Sequence, residues 1–472
     1  MILHEVFQRD GGAVHFMGIA GAGMISLAEL MARSGYSVSG CDLRPDAASR
    51  ALSALGCQIF PGHHPDHVED ASALVITAAV PPDHPEILRA RELGIPVMKR
   101  AEALGRWVNR GTVVAVAGTH GKTTTTAMTA EVLAVAGMDP TGLVGGRVLN
   151  WESNLRFGGD ELFVVEADEY DRSFHHLRPS IAVLNNLEAD HLDIFQDLEG
   201  VREAFLTFLR GMSSDGRVVA CGDDHGVSRL LPGLERATTT YGLNPGAQLR
   251  GIELREDEEG ASFQVVEGGR SRGELTLGVP GRHNVLNALG AAGAARSLGV
   301  EWEAIREGLG HFKGVGRRFE ILGDSGGVTL VDDYAHHPSE LKATLRAVRT
   351  RFPGRRIVAV FQPHLFSRTR DFARDFGDAL ALADVVWVTE IYPAREAPIP
   401  DVSGVLVAQA ALDAGASNVS FHPDLTELPG EIVPALEPGD VCLTMGAGSI
   451  EFLGQDLLAA LRAREQGGGG VS

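Results

Sequence analysis

Three times along this chain a short apolar run rich in β-branched residues leads into a tight turn and then a helical pattern. This recurrence constrains the fold more than any other feature. The first is Val14-His15-Phe16-Met17 into Gly18-Ile-Ala-Gly-Ala-Gly23, then a helix over Met24 to Ser34. The second is Thr112-Val-Val-Ala-Val-Ala117 into Gly118-Thr-His-Gly-Lys-Thr123, then a helix to about Ala136. The third is Arg356-Ile-Val-Ala-Val-Phe361 into Gln362-Pro-His364, then a helix from about Arg370. Strands alternating with helices predict an α/β fold of parallel sheets covered by helices. Such sheets bind ligands at the C-terminal ends of their strands.

The length of 472 residues suggests about three domains at roughly 150 residues each. The boundaries are placed at 1–108, 109–316 and 317–472, with Arg106 to Arg110 and the Gly-rich, basic Gly310 to Arg318 as the separators. Hydrophobic residues make up 44% and charged residues 22%, enough for each domain to bury a core. The tail Gln466 to Ser472 holds four consecutive glycines and is expected to lack structure. Lys and Arg number 42 against 62 Asp and Glu, a formal charge of −20 that argues against a sequence-independent nucleic-acid binder. A small anionic ligand is still admissible where cations are local. Cys41, Cys57, Cys221 and Cys442 are far apart, which argues against a disulfide scaffold or a Cys-based zinc site and fits a reducing compartment. Glu5, Arg9 and Asp10 precede any apolar run, so the N-terminus does not read as a signal peptide. No stretch approaches the ~18 apolar residues of a membrane span. The expectation is a cytoplasmic protein. Lysine is scarce, at Lys99, Lys122, Lys313 and Lys342, so each can be weighed individually.

Gly118-Thr119-His120-Gly121-Lys122-Thr123, with Thr124 after it, is the strongest chemical signal. Glycines let backbone N–H groups face a phosphate, and the helix N-terminus adds a favourable dipole. In such a loop Lys122 reaches the β/γ-phosphates and the Thr123 hydroxyl binds Mg²⁺. The strict pattern has Gly where this chain has Val116, so the match is partial. Phe163-Val-Val-Glu166-Ala-Asp168-Glu169-Tyr-Asp171 runs an apolar strand into four carboxylates, which repel unless a cation sits among them. Magnesium is the natural choice, although a solvated acidic loop would read the same way. Ile181 to Asn186 leads similarly into Glu188, Asp190 and His191.

Asn284 and Asn287 fall one turn apart on an Ala-rich helix and could face a nucleobase, or be plain surface residues. Asp332-Asp333-Tyr-Ala-His336-His337 ends another apolar strand, with Arg317-Arg318 upstream. Gly18, Gly21 and Gly23 approximate a dinucleotide fingerprint in altered order, and Asp42 falls where a ribose-binding acid would. Gly323-Asp-Ser325-Gly-Gly327 spells a serine-protease loop, but its α/β surroundings make a hairpin turn the better reading.

Together these motifs resemble the Mur ligase family. The match runs in order through HFMGIAGAGM, AGTHGKTTTT, EADEYDRSF, NNLEADHLD, GRHNVLNA, GRRFE, DDYAHHP, FQPHLFSRTRD, EIYPARE and GAGSI. The resemblance implies an N-terminal Rossmann-like domain for a UDP-sugar, a central P-loop ATPase domain and a C-terminal Rossmann-like domain for an amino acid. It implies that ATP phosphorylates the lactyl carboxylate of UDP-N-acetylmuramate, and that the amine of L-alanine then attacks the acyl phosphate. It further implies that Lys122, Glu166, His191, Arg318 and Asp333 are catalytic, with Mg²⁺ on Thr123 and Glu166 and a second metal near His191. Gly118 to Thr124, Asn284, Asn287, Arg318 and Asp333 would contact ATP. Gly18, Gly21, Ala22, Gly23, Met24, Asp42, His337, His364 and Arg368 would contact the other substrates. The implied partners are these small molecules, with no nucleic acid or membrane, in a monomer or homodimer.

Two departures stand out. Many family members have Arg after the His of FQPH, where this chain has Leu365. Several relatives bridge metals with a carbamylated lysine in the central domain, but no lysine occurs from Thr123 to Phe312. An NAD-dependent oxidoreductase built on the first glycine loop is the rival reading, and it leaves the phosphate loop and acidic strand ends unexplained. A regulator that binds nucleotide without turnover is a third.

Overall fold

Each recurrence falls in its own sheet. The structure is a computed structural model, and it describes residues 7, 11–43, 45, 47–77, 80–188, 195, 197–257, 260–394 and 396–468. The first sheet comprises β1 (Ala13–Met17), β2 (Val38–Asp42), β3 (Gln58–Pro61), β4 (Ala71–Ile76) and β5 (Val97–Lys99). Its order is β3-β2-β1-β4-β5 and all its pairings are parallel. The strand order reverses at β1, so the turn after Met17 lies at the switch point where such sheets bind ligands.

The second sheet runs from β6 (Thr112–Ala117) through β7 (Thr141–Val148), β8 (Ser153–Arg156), β9 (Leu162–Glu166), β10 (Ile181–Leu184), β11 (Arg217–Cys221), β12 (Ala237–Gly242), β13 (Leu249–Glu256) and β14 (Ala261–Glu267) to β15 (Arg270–Leu277). Its order is β15-β14-β13-β12-β11-β10-β6-β9-β7-β8. β6 lies between parallel β9 and β10, and its residues Val113 to Ala117 are fully buried. That accounts for a near-continuous apolar strand rather than an alternating one.

The third sheet comprises β16 (Glu320–Ser325), β17 (Val328–Asp333), β18 (Ile357–Phe361), β19 (Val385–Val388), β20 (Val419–Phe421) and β21 (Val441–Met445), in the order β16-β17-β21-β18-β19-β20. All its pairings are parallel except β16 with β17. Those two form the expected hairpin through Gly326 and Gly327, both at positive φ (59° and 79°), as a type I′ turn requires.

Packing groups the chain into two compact units. Met1–Glu253, Phe263–Thr276 and Asn284–Lys313 form one; Leu254–Ser262, Leu277–His283 and Gly314–Ser472 form the other.

Two expectations are corrected. The helix after β18 starts at Phe366 rather than near Arg370, because Leu365 at φ 69° turns the chain early and its carbonyl accepts from Thr369 N and Oγ1. The final helix, Leu453–Gly468, continues into the tail expected to lack structure; 469–472 lie outside the described residues. Among the described residues, no helix is long and apolar enough to cross a membrane.

Candidate active site

The loop after β6 owes its shape to two glycines. Gly118 (φ 148°) and Gly121 (φ 76°) adopt angles that an L-residue resists, and Gly121 caps the helix Lys122–Val135. A Cβ at Gly121 would overlap Asn287 Oδ1. Asn186 clamps the loop from the end of β10. Its Oδ1 accepts from His120 N at 2.7 Å, its Nδ2 donates to His120 O at 3.2 Å, and its carbonyl accepts from Thr119 N at 3.2 Å. Thr119 Oγ1 accepts from Glu188 N at 2.9 Å. Asn185 is buried; its Nδ2 donates to Thr125 Oγ1 at 3.0 Å and its Oδ1 accepts from the Tyr241 hydroxyl at 2.9 Å. Asn284 and Asn287 are buried as well, with Asn287 Nδ2 donating to Asn284 Oδ1 at 3.2 Å. The structure therefore places Asn287 against the phosphate loop. Thr124 is buried in the first turn of the helix.

The four carboxylates after β9 separate by partner. Glu166 Oε2 accepts from Thr123 Oγ1 at 3.0 Å and from Gly145 N at 2.8 Å. Asp168 Oδ1 accepts from Tyr170 N at 3.0 Å, and Asp171 pairs with Lys99 at 2.6 Å. Glu169 is buried and pairs with Lys122 Nζ at 2.9 Å. Lys122 also donates to Gly118 O at 2.7 Å and Thr119 O at 3.1 Å. So the cation among these acids is Lys122 itself, with Thr123 and Glu166 left facing each other. Burial opposes the Lys122 ammonium, but the carboxylates of Glu169, Asp168 and Glu166 outweigh it and hold the pKa above the ordinary lysine range. Lys122 is thus cationic at neutral pH.

The first glycine loop sits in the same unit. Gly18 (φ 80°) turns the chain out of β1, and Gly21 caps the helix Ala22–Arg33. Asp42, at the end of β2, accepts from Ala20 N at 3.1 Å, so its carboxylate braces this loop. The Met24 side chain lies in the core, leaving only its backbone at the helix start. The Arg100 guanidinium covers Gly23 so closely that a Cβ there would press on it. Gly23, Arg100, Gly145, Glu166 and Asp168 share a cavity of about 210 Å³, which joins the first loop to the acidic end of β9.

In the second unit, Asp332 and Asp333 still belong to β17 and are buried. Asp333 accepts from Phe319 N at 2.7 Å and Ala335 N at 2.8 Å. Burial pushes its carboxyl up to about 6, against the pull of Arg318 and these two N–H donors. Arg318 lies 3.5 Å from Glu340 and stacks over Tyr334. The adjacent histidines part ways. His337 caps the helix Pro338–Arg351 in a capping box with Glu340, and its ring packs on Phe372. His336 turns to His364 (ring centroids 5.8 Å apart), which stacks on Tyr392. Arg368 is buried, with Nη1 3.5 Å from His364 Nδ1. Of the residues expected around the amino acid, His364 and Arg368 come together, and the histidine joining them is His336, not His337.

His191 lies outside the described residues. Glu169, Asn185, Asn186, Arg100 and His336 were not singled out from the sequence as individual contributors. Glu169, His336 and the two amides lay within quoted motifs, the amides with no charge to mark them; Arg100 carries only its position at a strand end.

Three family models match the chain in turn: "Mur ligase family, catalytic domain" over residues 13–112, "Mur ligase middle domain" over 116–295, and "Mur ligase, glutamate ligase domain" over 317–448. The chain is 47% identical over 450 residues to UDP-N-acetylmuramate–L-alanine ligase of Rubrobacter xylanophilus, covering 95% of this chain and 100% of that one. It is 45% identical over 442 residues to the ligase of the same description from Oleidesulfovibrio alaskensis, covering 94% and 97%. The solved UDP-N-acetylmuramate-alanine ligase of Thermotoga maritima is 31% identical and superposes with a TM-score of 0.82 over 96% of this chain and 100% of that one. A murein peptide ligase from Psychrobacter arcticus is less similar, at 27% identity and a TM-score of 0.73 over 96% and 99%. With relatives at this identity spanning nearly its whole length, and a family model on each of its three sheets, the chain belongs to the Mur ligase family.

Proposed function

We propose that this chain is an ATP-dependent ligase that joins L-alanine to the lactyl carboxylate of UDP-N-acetylmuramate, a step in building peptidoglycan precursor. The observation that carries this reading is the 45–47% identity, over nearly the full length, to ligases of that description. A murein peptide ligase is an alternative in kind, and the higher TM-score of the alanine ligase structure, 0.82 against 0.73, favours the alanine reading. A cytoplasmic location and domain boundaries near residues 108 and 316 accompany it.

The chemistry is a carboxylate attacking a triphosphate. The carboxylate oxygen bonds to the γ-phosphorus and ADP departs. The alanine amine then adds to the acyl carbon and loses a proton, and phosphate leaves as the amide forms. Negative charges must meet, so cations and backbone N–H groups must be in place where charge builds. Lys122 supplies a fixed positive charge at the phosphate loop, and the helix start at Gly121 to Thr124 offers backbone N–H groups, those of Thr119 and His120 being held by Asn186. The hydroxyl of Thr123 and carboxylate of Glu166 are hard oxygen donors already 3.0 Å apart, which suits Mg²⁺. We assign these two to Mg²⁺, which would neutralise phosphate charge, and His191 to a second metal. Asn284 and Asn287, with Arg318 and Asp333, are assigned to ATP. The first loop (Gly18, Gly21 to Met24) and Asp42 are assigned to the UDP-sugar, and His364 and Arg368 to the alanine carboxylate. No protein nucleophile is needed; holding the reactants in line supplies much of the rate.

Phosphate release from ATP with UDP-N-acetylmuramate, against a panel of L-Ala, L-Ser, Gly and the murein tripeptide, tests the reading. Release that requires the UDP-sugar and is fastest with L-alanine is expected. A preference for the tripeptide, or nicotinamide turnover instead, would overturn it.

A further inference from the structure

On one face of the first sheet, over the small apolar cluster of Met17, Val68, Leu74 and Ile87, four potential metal ligands converge from four elements. His15 comes from β1, Cys41 from β2, His67 from the turn Pro65–Val68 and Glu86 from the helix Pro85–Glu92. One ligand atom from each lies within 4.8 Å of all the others. We propose that His15, Cys41, His67 and Glu86 bind a divalent transition-metal cation of the zinc class, independently of the ligase site.

Burial is the first support. His15, Cys41 and Glu86 are fully buried, and the His67 side chain is only 15% exposed. Among the described residues the ion-pair partners of the Glu86 carboxylate are His63 and His67, with one backbone donor, His64 N, at 2.7 Å. A fully buried carboxylate without Arg or Lys is costly unless a cation completes its shell. Orientation is the second. His15 Nδ1 is held by Ser39 Oγ at 2.9 Å, while its buried Nε2 has no hydrogen-bond partner. That is the pattern of a ligating histidine, whose second nitrogen is fixed by an outer partner. The His67 ring is likewise fixed, stacked on Phe60 at 4.4 Å.

Donor chemistry selects the cation. Two imidazoles, a thiolate and one carboxylate suit tetrahedral zinc, cobalt or ferrous iron, whereas Mg²⁺ takes oxygen ligands. Cys41 Sγ lies 3.4 Å from both Glu86 oxygens and 3.1 Å from His63 Nδ1. Binding as thiolate, Cys41 gives up its proton: the S–H bond breaks, the S–metal bond forms, and H⁺ leaves to buffer. The cation would tie β1 and β2 to the turn and helix that cover them. No CxxC announces such a site, and of the run His63-His64-Pro65-Asp66-His67 only His67 is among the four ligands, each of which comes from a different element.

Full-length reduced protein, stripped with chelator, is titrated with Zn²⁺ and with Co²⁺. The wild type is expected to bind one equivalent of Zn²⁺ and rise in Tm, and to show a thiolate-to-cobalt charge-transfer band with Co²⁺. Cys41→Ser should lose the band and weaken Zn²⁺ binding at least tenfold, while Cys221→Ser keeps both. His67→Gln, at the part-exposed position, should keep the band and weaken binding at least tenfold, which decides the matter if Cys41→Ser does not fold. Absence of stoichiometric binding, a band that survives Cys41→Ser, or unchanged affinity in His67→Gln overturns the proposal.

Discussion

Lys122 holds two relationships that a single substitution breaks together. It is the positive charge at the phosphate loop and the partner of buried Glu169. Lys122→Ala should raise the chemical barrier by roughly 3 kcal/mol or more, a loss beyond a hundredfold in kcat. It should also destabilise the fold by about 3–5 kcal/mol, because Glu169 is left as a buried charge without its cation. Adding Glu169→Gln separates the two effects: stability by urea unfolding should recover and turnover should not. Recovery of turnover in the double variant would remove Lys122 from the chemistry. Glu166 is different, since its partners are a hydroxyl and one N–H. Glu166→Gln should shift the Mg²⁺ dependence of phosphate release to higher concentration, and a titration that overlays the wild type would leave Glu166 a structural bond to Gly145. At the other site, an Arg fork grips a carboxylate bidentately, and alanine has little else to hold. Arg368→Met should raise the KM for L-alanine at least tenfold with little change in the KM for ATP. If only Tm falls, Arg368 merely packs against His364.

Between strand and helix, the turns decide which side chains reach the site. The β6 turn was legible because its backbone can only be built with glycine at the two strained positions. Gly121→Ala should therefore be felt at once. The left-handed angle costs Ala roughly 1–2 kcal/mol, and the new methyl displaces Asn287 from the loop. The expected outcome is a KM for ATP raised at least tenfold with UDP-sugar binding unchanged; an unaltered KM would mean that Asn287 and the loop move together freely. Less of the rest was legible. Asn185 and Asn186 hold the loop through neutral amides, which carry no periodicity or charge to mark them. The acids after β9 suggested one metal cluster, but each found a separate partner, because a strand end fans successive side chains in different directions. His336 and His337 differ by one position, and only the helix start at Pro338 decides which becomes the cap. The helix from Phe366 was placed late because its first turn reads Ser367 to Arg370, polar residues that hide a start made by Leu365 at positive φ.

For the whole molecule, three sheets followed from three recurrences, since apolar period and turn chemistry agreed at each. Buried charge was not legible in the same way, because burial depends on distant segments. The second unit shows its consequence for stability against pH. His336 is walled by Tyr334, Glu340, His364 and Arg368, and His283 by Arg318 and Glu340. Burial lowers His336 to about 3 and His283 to about 4, from 6.5. Between those values and 6.5 the unfolded chain binds more protons than the native one, so stability falls as the solution is acidified. By pH 5 each histidine costs about 2 kcal/mol. Asp333 acts oppositely: its carboxyl, raised from 3.8 to about 6, is protonated first in the native state. Its protonation therefore offsets about 1 kcal/mol of that loss by pH 5, leaving a net loss of about 3 kcal/mol. His336→Gln keeps a polar side chain of similar reach but cannot take up the proton. Urea unfolding at pH 7 and pH 5, read from a probe in the third sheet such as Trp387, should show the pH-dependent loss reduced by about 2 kcal/mol in that variant. Asp333→Asn should enlarge the loss instead. Equal losses in wild type and His336→Gln would mean that His336 protonates freely in the native state, and that the Glu340 carboxylate 3.2 Å from its Nδ1 outweighs its burial.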